Sequence, residues 1–315
     1  MQSMNNDIKI ATLIISSNTY PATRNSKAQK KIFFQQSFNP QLTYWYKAGD
    51  KKELKGEKFK VNKNDLLINT SDSSLNMGMK TLLAFEWLNQ NYEYDFIVRP
   101  TPSSYIKYSN LESFIENNLL NTKYVYAGKV HKTNSGKMQS SDIHLDKDIT
   151  FISGSTLILN KATVEKILEN KSQWDHSYWD DVALAILLKN LQIEYQPSER
   201  FDVEGSPFKH QIPDNYYQYR CRADNHFGYP RYLESINIKI VHKLSNNIKI
   251  KDINRIAMIF LYSISKKLYV HQFGWKIYKI FRQTLRVLLP KKVYKFIKKL
   301  LIRKVDKFKH VRFKT

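Results

Sequence analysis

Residues 94–106, YDFIVRPTPSSYI, decide how the rest of the chain is read. Phe96, Ile97 and Val98 form an apolar run too short for a helix, and the run ends in a Pro- and Ser-rich turn, so it reads as a buried strand delivering a polar tip. The tip holds Thr101, Pro102, Ser103 and Ser104, with no carboxylate, histidine or cysteine. A strand this clean normally carries chemistry to a site, and this tip has only hydroxyls.

Upstream, IKIATLIIS (8–16) and QLTYWYKAG (41–49) read as strands around a helical stretch at 23–36. Strand, helix and strand at that spacing predict a parallel α/β unit. KKELKGEKFKVNKN (51–64) reads as a charged excursion, and DLLINTSDSSLNMG (65–78) as a third strand leaving into a polar loop. GMKTLLAFEWLNQNY (78–92) predicts an amphipathic helix. Downstream come a helix at 110–120 capped by Asn110, a strand at 123–131, and a polar loop at 135–148. ITFISGSTLILNKATVEKILEN (149–170) reads as a strand joined to a helix through a Gly-Ser break, with Asn160 as cap. WDDVALAILLKNLQI (179–193) is a further helix, EYQPSERFDVEG (194–205) a strand and loop, and 232–244 a helix or strand.

The 315 residues, 42% hydrophobic and 13% aromatic, suffice for a sizeable core. The formal charge is +23, but residues 251–315 hold 19 Lys or Arg against two Asp, which puts +17 in the tail and +6 in the remainder. The composition changes near residue 250, giving an expected body at 1–250 and a basic tail at 251–315. One cysteine, Cys221, excludes an internal disulfide or a cysteine-built zinc cluster and fits a reducing compartment. The apolar run near the N-terminus is too short for a signal core, and no run reaches the roughly 18–20 apolar residues of a span. A cytoplasmic protein is the expectation. In the tail, Val293, Phe296, Ile297, Leu300 and Leu301 fall on one helical stripe among Lys291, Lys292, Lys295, Lys298 and Lys299. That is the composition of a helix lying on an anionic membrane surface. A nucleic acid is the rival partner and packing on the body the plainer alternative, but a nucleic-acid arm has no use for the apolar stripe.

The order of the pieces resembles a nucleotide-sugar glycosyltransferase of GT-A fold, of the fringe and β-1,3-galactosyltransferase type (family 31). KTLLAFEWLNQNYEYDFIVRPTPSSYI resembles that family's Lys-Thr helix and the strand leading to its Asp-x-Asp triplet, YVYAGKV its next strand, FISGSTLILNKATVEKIL its acceptor wall, and WDDVALAILLKNLQIEY its Asp-Asp-Val helix. The likeness spans roughly residues 75–205 and implies an α/β domain with a mostly parallel sheet. It also implies a hexose such as galactose, a nucleotide-sugar donor, and a glycan or lipid-linked acceptor. Where the family presents two aspartates to a metal, this chain has Thr101 and Ser103, so the expectation is a transferase with no cofactor. Mg²⁺ or Mn²⁺ is conceivable at the position but not expected, because neutral hydroxyls are poor ligands for hard cations.

Cations must then neutralise the leaving diphosphate. Arg99 and the segment YRCRADNHFGYPR (219–231), with Arg220, Arg222, His226 and Arg231, are the candidates, since arginine forks match phosphate oxygens. Solvated surface arginines are the competing reading. The resemblance assigns the general base to Asp180 or Asp181, preferably Asp181; both also suit a helix N-terminus for purely structural reasons. Ser16, Asn18, Tyr20 and Asp72 stand where an open sheet binds a nucleotide, with Lys80, Thr101, Ser103 and Ser104 further along the donor. Gly154, Ser155 and Trp179, with Trp174 and Tyr178, are candidates for the acceptor side, and His131, His144 and His176 lack metal-ligand spacing. The Lys- and Asn-rich composition suits an AT-rich bacterial genome, and so capsule or lipooligosaccharide assembly at the inner face of the cytoplasmic membrane. A non-catalytic scaffold of such an assembly, or a basic nucleic-acid-binding protein, are the alternatives.

Overall fold

A computed structural model of the protein describes residues 8–36, 40–73, 76–134, 136–137, 144–145, 148–223, 231–250 and 252–270. Along the chain come β1 (Ile10–Ile15), α1 (Ala22–Gln36), β2 (Thr43–Ala48), α2 (Lys51–Leu54), β3 (Phe59–Asn62), β4 (Asp65–Ile68), α3 (Met77–Asn91), β5 (Phe96–Pro100) and β6 (Ser104–Ile106). After them run α4 (Tyr108–Asn118), β7 (Tyr126–Thr133), the two-residue strands β8 (Gly136–Lys137) and β9 (His144–Leu145), β10 (Ile149–Asn160), α5 (Lys161–Glu169) and α6 (Asp180–Asn190). The last elements are β11 (Gln196–Pro197), β12 (Phe201–Asp202), β13 (Gln218–Arg220), α7 (Glu234–Ser245) and α8 (Asp252–Val270).

Eight strands form one mixed sheet in the order β11-β7-β10-β5-β1-β2-β4-β3. β1 pairs in parallel with β2 and β5, and β2 with β4, while β10 runs antiparallel to both β5 and β7. Every residue of β1 and β5 is buried, as expected for strands covered on both faces. Alternation divides β1 between two cores: Ala11, Leu13 and Ile15 face one cluster with α3, α5 and α6, and Ile10 and Ile14 face the other with α1, α4 and α7. The result is a sheet between two helical layers. β1 is the strand from which the chain winds to either side, so its carboxyl end and that of β5 form the crevice where open sheets bind ligands. A small second sheet, β12-β13-β6, stands at that end.

Three local expectations are corrected. The charged excursion at 51–64 folds: Asp50 accepts from the Lys52 amide at 2.9 Å and Glu53 reaches back to the Asp50 amide at 3.4 Å, capping α2. A turn through Lys63 (φ 56°) then places β3 at the sheet edge, where lysines suit an unpaired rim. The Gly-Ser break is no break, because β10 continues through it, with a register shift between Ile152 and Leu157 that marks a bulge. Asn110 does not cap α4, which begins two residues earlier; its amide instead donates to the carbonyls of Asp214 (2.7 Å) and Tyr216 (3.1 Å). Asn160 does cap α5.

The chain divides into two compact units, Met1–Ile259 and Phe260–Thr315. The described residues of the second, 260–270, are helical; the stripe expected at 293–301 lies outside the described residues, as does His226. No helix among the described residues is long and apolar enough to cross a membrane.

Asn160 also anchors the strand edge. Its oxygen accepts from the amides of Thr163 and Val125, both at 3.1 Å, and its amide donates to the carbonyls of Thr122 and Lys123. Asn160→Ala is expected to cost about 2 kcal/mol, the upper end of an N-cap deletion because a strand contact is lost with it. Urea unfolding measures this, and an unchanged midpoint would contradict it.

Candidate active site

The site assembles where β1, β4 and β5 end. Past β1, the buried Ser16 bonds Ser26 at 2.9 Å, and the Asn18 side chain donates to the Ala48 carbonyl at 2.8 Å. Asp72, past β4, is held by the Lys80 ammonium at 2.7 Å and the Asn18 amide at 3.0 Å. Lys80 is nearly buried and also donates to the Ser16 carbonyl at 3.3 Å. Of the residues expected along the donor, Ser16, Asn18, Asp72 and Lys80 are therefore one connected group, and Tyr20 is an exposed side chain outside these contacts. Both Asp72 oxygens are thus engaged, and its side chain is partly exposed.

The Thr101–Ser104 tip is a rigid turn. The Thr101 amide donates to the Ser155 carbonyl (2.9 Å), the Ser104 hydroxyl to the same carbonyl (2.7 Å), and Gln29 spans the carbonyls of Thr101 and Ser104. Directly across, β13 pairs with β6 so that Arg220 lies opposite Ser104, and the Cys221 amide donates to the Ser103 carbonyl at 2.7 Å. The turn and the Arg220-Cys221-Arg222 triplet, remote in sequence, are thus neighbours. Arg231 is engaged within the protein: its guanidinium pairs with buried Glu234 at 3.1 Å at the head of α7.

Arg99 lies behind the turn rather than in the open. It is 1% exposed, and its guanidinium donates to the Tyr46 hydroxyl (2.9 Å), the Gly154 carbonyl (2.8 Å), Thr81 (3.4 Å) and the Asp180 carboxylate. Its fork is engaged within the protein, which corrects the expectation that it clamps a diphosphate. Asp180 is correspondingly committed to Arg99. Asp181 is half-buried beside it, its Oδ2 accepting from the Gly154 amide at 2.9 Å and its Oδ1 from the Val182 amide at 3.0 Å. Space at Gly154 is tight, since a Cβ would lie 3.0 Å from Asp181 Oδ2 and 3.1 Å from Arg99 Nη1.

On the acceptor side, Ser155 is buried and bonded to Arg200 Nη1 at 2.5 Å and to Gln218 Nε2 at 3.1 Å. Trp179 is partly buried and packs with Val182, and Tyr178 likewise packs against the core. Trp174 is 4% exposed and fills the space over Gly78, which makes it a core residue. Arg200 had no sequence signal. It is buried, pairs with Asp202 at 2.9 Å, and reaches Ser153 at 3.0 Å and His131 at 3.4 Å. Gln218 and Tyr46 were equally silent, because each acts on a segment remote in sequence. Burial, with Arg200 and Arg220 nearby, holds the His131 pKa below the ordinary value against the opposing pull of Asp202 and Asp181.

The turn offers hydroxyls, Asp72, Asp180 and Asp202 each face a Lys or Arg, and among the described residues no three His, Cys, Asp or Glu side chains converge on a metal position.

A mixed α/β sheet with polar side chains gathered at the carboxyl ends of its central strands, beside a strand bulge and a helix-start acid pair, is the class that fold and site define. Within it, the Galactosyltransferase family model matches residues 50–199, just under half of the chain, including β4, β5, the bulge and α6. This match supports a role in glycosyl transfer. No curated protein matches. Among solved structures, a glycosyltransferase involved in the glycosylation of the major capsid of PBCV-1 is similar at 9% identity, over 73% of this chain and 99% of its own, with a TM-score of 0.41. The 4-diphosphocytidyl-2C-methyl-D-erythritolsynthase of Anaerococcus prevotii DSM 20548 is similar at 9% identity over 61% and 86%, with a TM-score of 0.37. The glycosyltransferase GlyE of Streptococcus pneumoniae TIGR4 is similar at 12% identity over 61% and 46%, with a TM-score of 0.33. Likeness at these scores fixes no function.

Two outcomes follow from the geometry. Removing one partner of a buried ion pair strands the other charge, so Arg99→Met is expected to cost about 3–5 kcal/mol in urea unfolding, with much of it restored by Asp180→Leu in the same chain. Equal loss in the single and double variants would contradict a coupled pair. His131 favours its neutral form when folded, so its contribution is present above the unfolded value of about 6.5 and lost as pH falls through its lowered folded value. His131→Asn should therefore flatten the acid limb of a stability-against-pH curve below about pH 6.5, and an unchanged limb would contradict the assignment.

Proposed function

We propose that the protein transfers a hexose, galactose being the leading candidate, from a nucleotide sugar to a glycan or lipid-linked hydroxyl, with inversion and without a metal at the Thr101–Ser104 turn. The observation that carries the reading is the unequal fate of the two adjacent acids: Asp180 is paired with Arg99, while Asp181 accepts from two backbone amides and, among the described residues, is paired with no cationic side chain. An inverting step needs one such carboxylate. The acceptor oxygen attacks the anomeric carbon, the bond to the diphosphate oxygen breaks with its electron pair leaving on phosphate, and the acceptor proton passes to Asp181.

Asp72, oriented by Lys80 and Asn18, suits a base or ribose donor group on the nucleotide. Arg220 and Arg222, beside Ser103 and Ser104, take over the diphosphate role first considered for Arg99, with His226 outside the described residues. The bulge around Gly154 and Ser155, with Trp179, suits the acceptor side. The +17 segment 251–315 supports a peripheral position on an anionic inner membrane face, where a lipid-linked acceptor for surface polysaccharide or lipooligosaccharide would be presented.

Asp181→Asn keeps the size of the side chain and removes its basicity. Turnover of the accepted nucleotide sugar in EDTA should fall at least about 100-fold in this variant, with donor binding retained. Activity that survives the substitution would remove Asp181 from the mechanism, and activity abolished by EDTA in the native protein would remove the metal-free reading.

A further inference from the structure

A groove of about 410 Å³ runs between the 208–212 segment, the end of α7 and the first turn of α8, a size usual for small-molecule sites. None of its lining residues belongs to the candidate active site. Its lining mixes apolar Phe208, Ile212, Leu244 and Ile248 with polar His210, Gln211 and Asn247, and Ile248 is 44% exposed. The exposed charges on it are Lys249 and Arg255 against one acid, Asp252, while His210 lies with Nε2 3.1 Å from the Glu204 carbonyl. Apolar side chains beside a net positive charge match a molecule with a hydrocarbon body and an anionic head. From residue 251 onward the chain is strongly basic, with a net +17. Lysine- and arginine-bearing stretches beyond Arg255 would bring like charge to Lys249 and Arg255, which disfavours them as occupant.

We propose that this groove binds a single phosphate-headed alkyl chain, the alkyl part on Phe208, Ile212, Leu244 and Ile248 and the phosphate at Lys249 and Arg255. The site stands independently of the glycosyl-transfer reading; if that reading holds, the groove gives the lipid of a lipid-linked acceptor its own place on the enzyme. The test uses the full chain and a photoreactive dodecyl phosphate below its aggregation concentration, with the labelled peptides mapped by mass spectrometry. Label is expected within 208–212 and 244–255, displaced by unlabelled dodecyl phosphate but not by dodecanol or inorganic phosphate at the same concentration. Reversing both exposed cations, Lys249→Glu with Arg255→Glu, should reduce it at least about tenfold. Four results would each overturn the proposal: label confined to 271–315, displacement by dodecanol as effective as by the phosphate, displacement by inorganic phosphate alone, or full labelling in the charge-reversed chain that retains the native circular dichroism spectrum.

Discussion

The buried pair between Arg99 and Asp180 holds the site together. A guanidinium at 1% exposure is stable only if its donors are used, and here Tyr46, Thr81, the Gly154 carbonyl and Asp180 use them. These partners come from β2, α3, β10 and α6, so one side chain on β5 ties four elements to the end of the central sheet. The pair is also what separates the two acids. Adjacent helical residues point about 100° apart, so Asp180 turns inward to Arg99 while Asp181 turns to the Gly154 amide.

The bulge in β10 is the second consequence of that arrangement. Between Ile152 and Leu157 the strand leaves its register, and the freed groups serve the site. The Gly154 amide holds Asp181, the Gly154 carbonyl takes Arg99, and the Ser155 carbonyl fixes Thr101 and Ser104. Arg200 braces the two serines from behind. A tip made of hydroxyls is therefore a positioned surface, backed by buried cations and flanked by Arg220. Its hydroxyls carry no formal charge where an acidic turn would be negative.

Much of this was legible in the sequence where a local pattern dictates the outcome. The apolar runs of β1 and β5, the amphipathic α3, the Asn160 cap and the acid pair opening α6 each follow from a few adjacent residues. What was not legible depends on pairing over distance. Arg99 precedes the turn by two residues, and nothing nearby indicates that its partner is Asp180. Arg200 and Gln218 reach Ser155 only because β7, β10 and β13 bring remote segments together. The arginines of 219–231 looked like one exposed cluster, yet β13 sets Arg220 opposite Ser104 while Arg231, just before α7, is paired with buried Glu234. Gly154 read as a break because a bulge and a turn share their residues, and only the antiparallel neighbours on both sides keep the strand continuous.

The central claim is that the cleft at the carboxyl ends of β1, β4 and β5 receives a nucleotide sugar without a divalent ion. The most direct measurement is the melting temperature of the full chain in EDTA against a panel of nucleotide sugars, each at saturating concentration. A ligand that binds the native state must raise it. The account predicts that at least one donor raises it and that Asp72→Ala abolishes the shift. A panel in which no donor moves the transition, or one in which the shift survives Asp72→Ala unchanged, would contradict it.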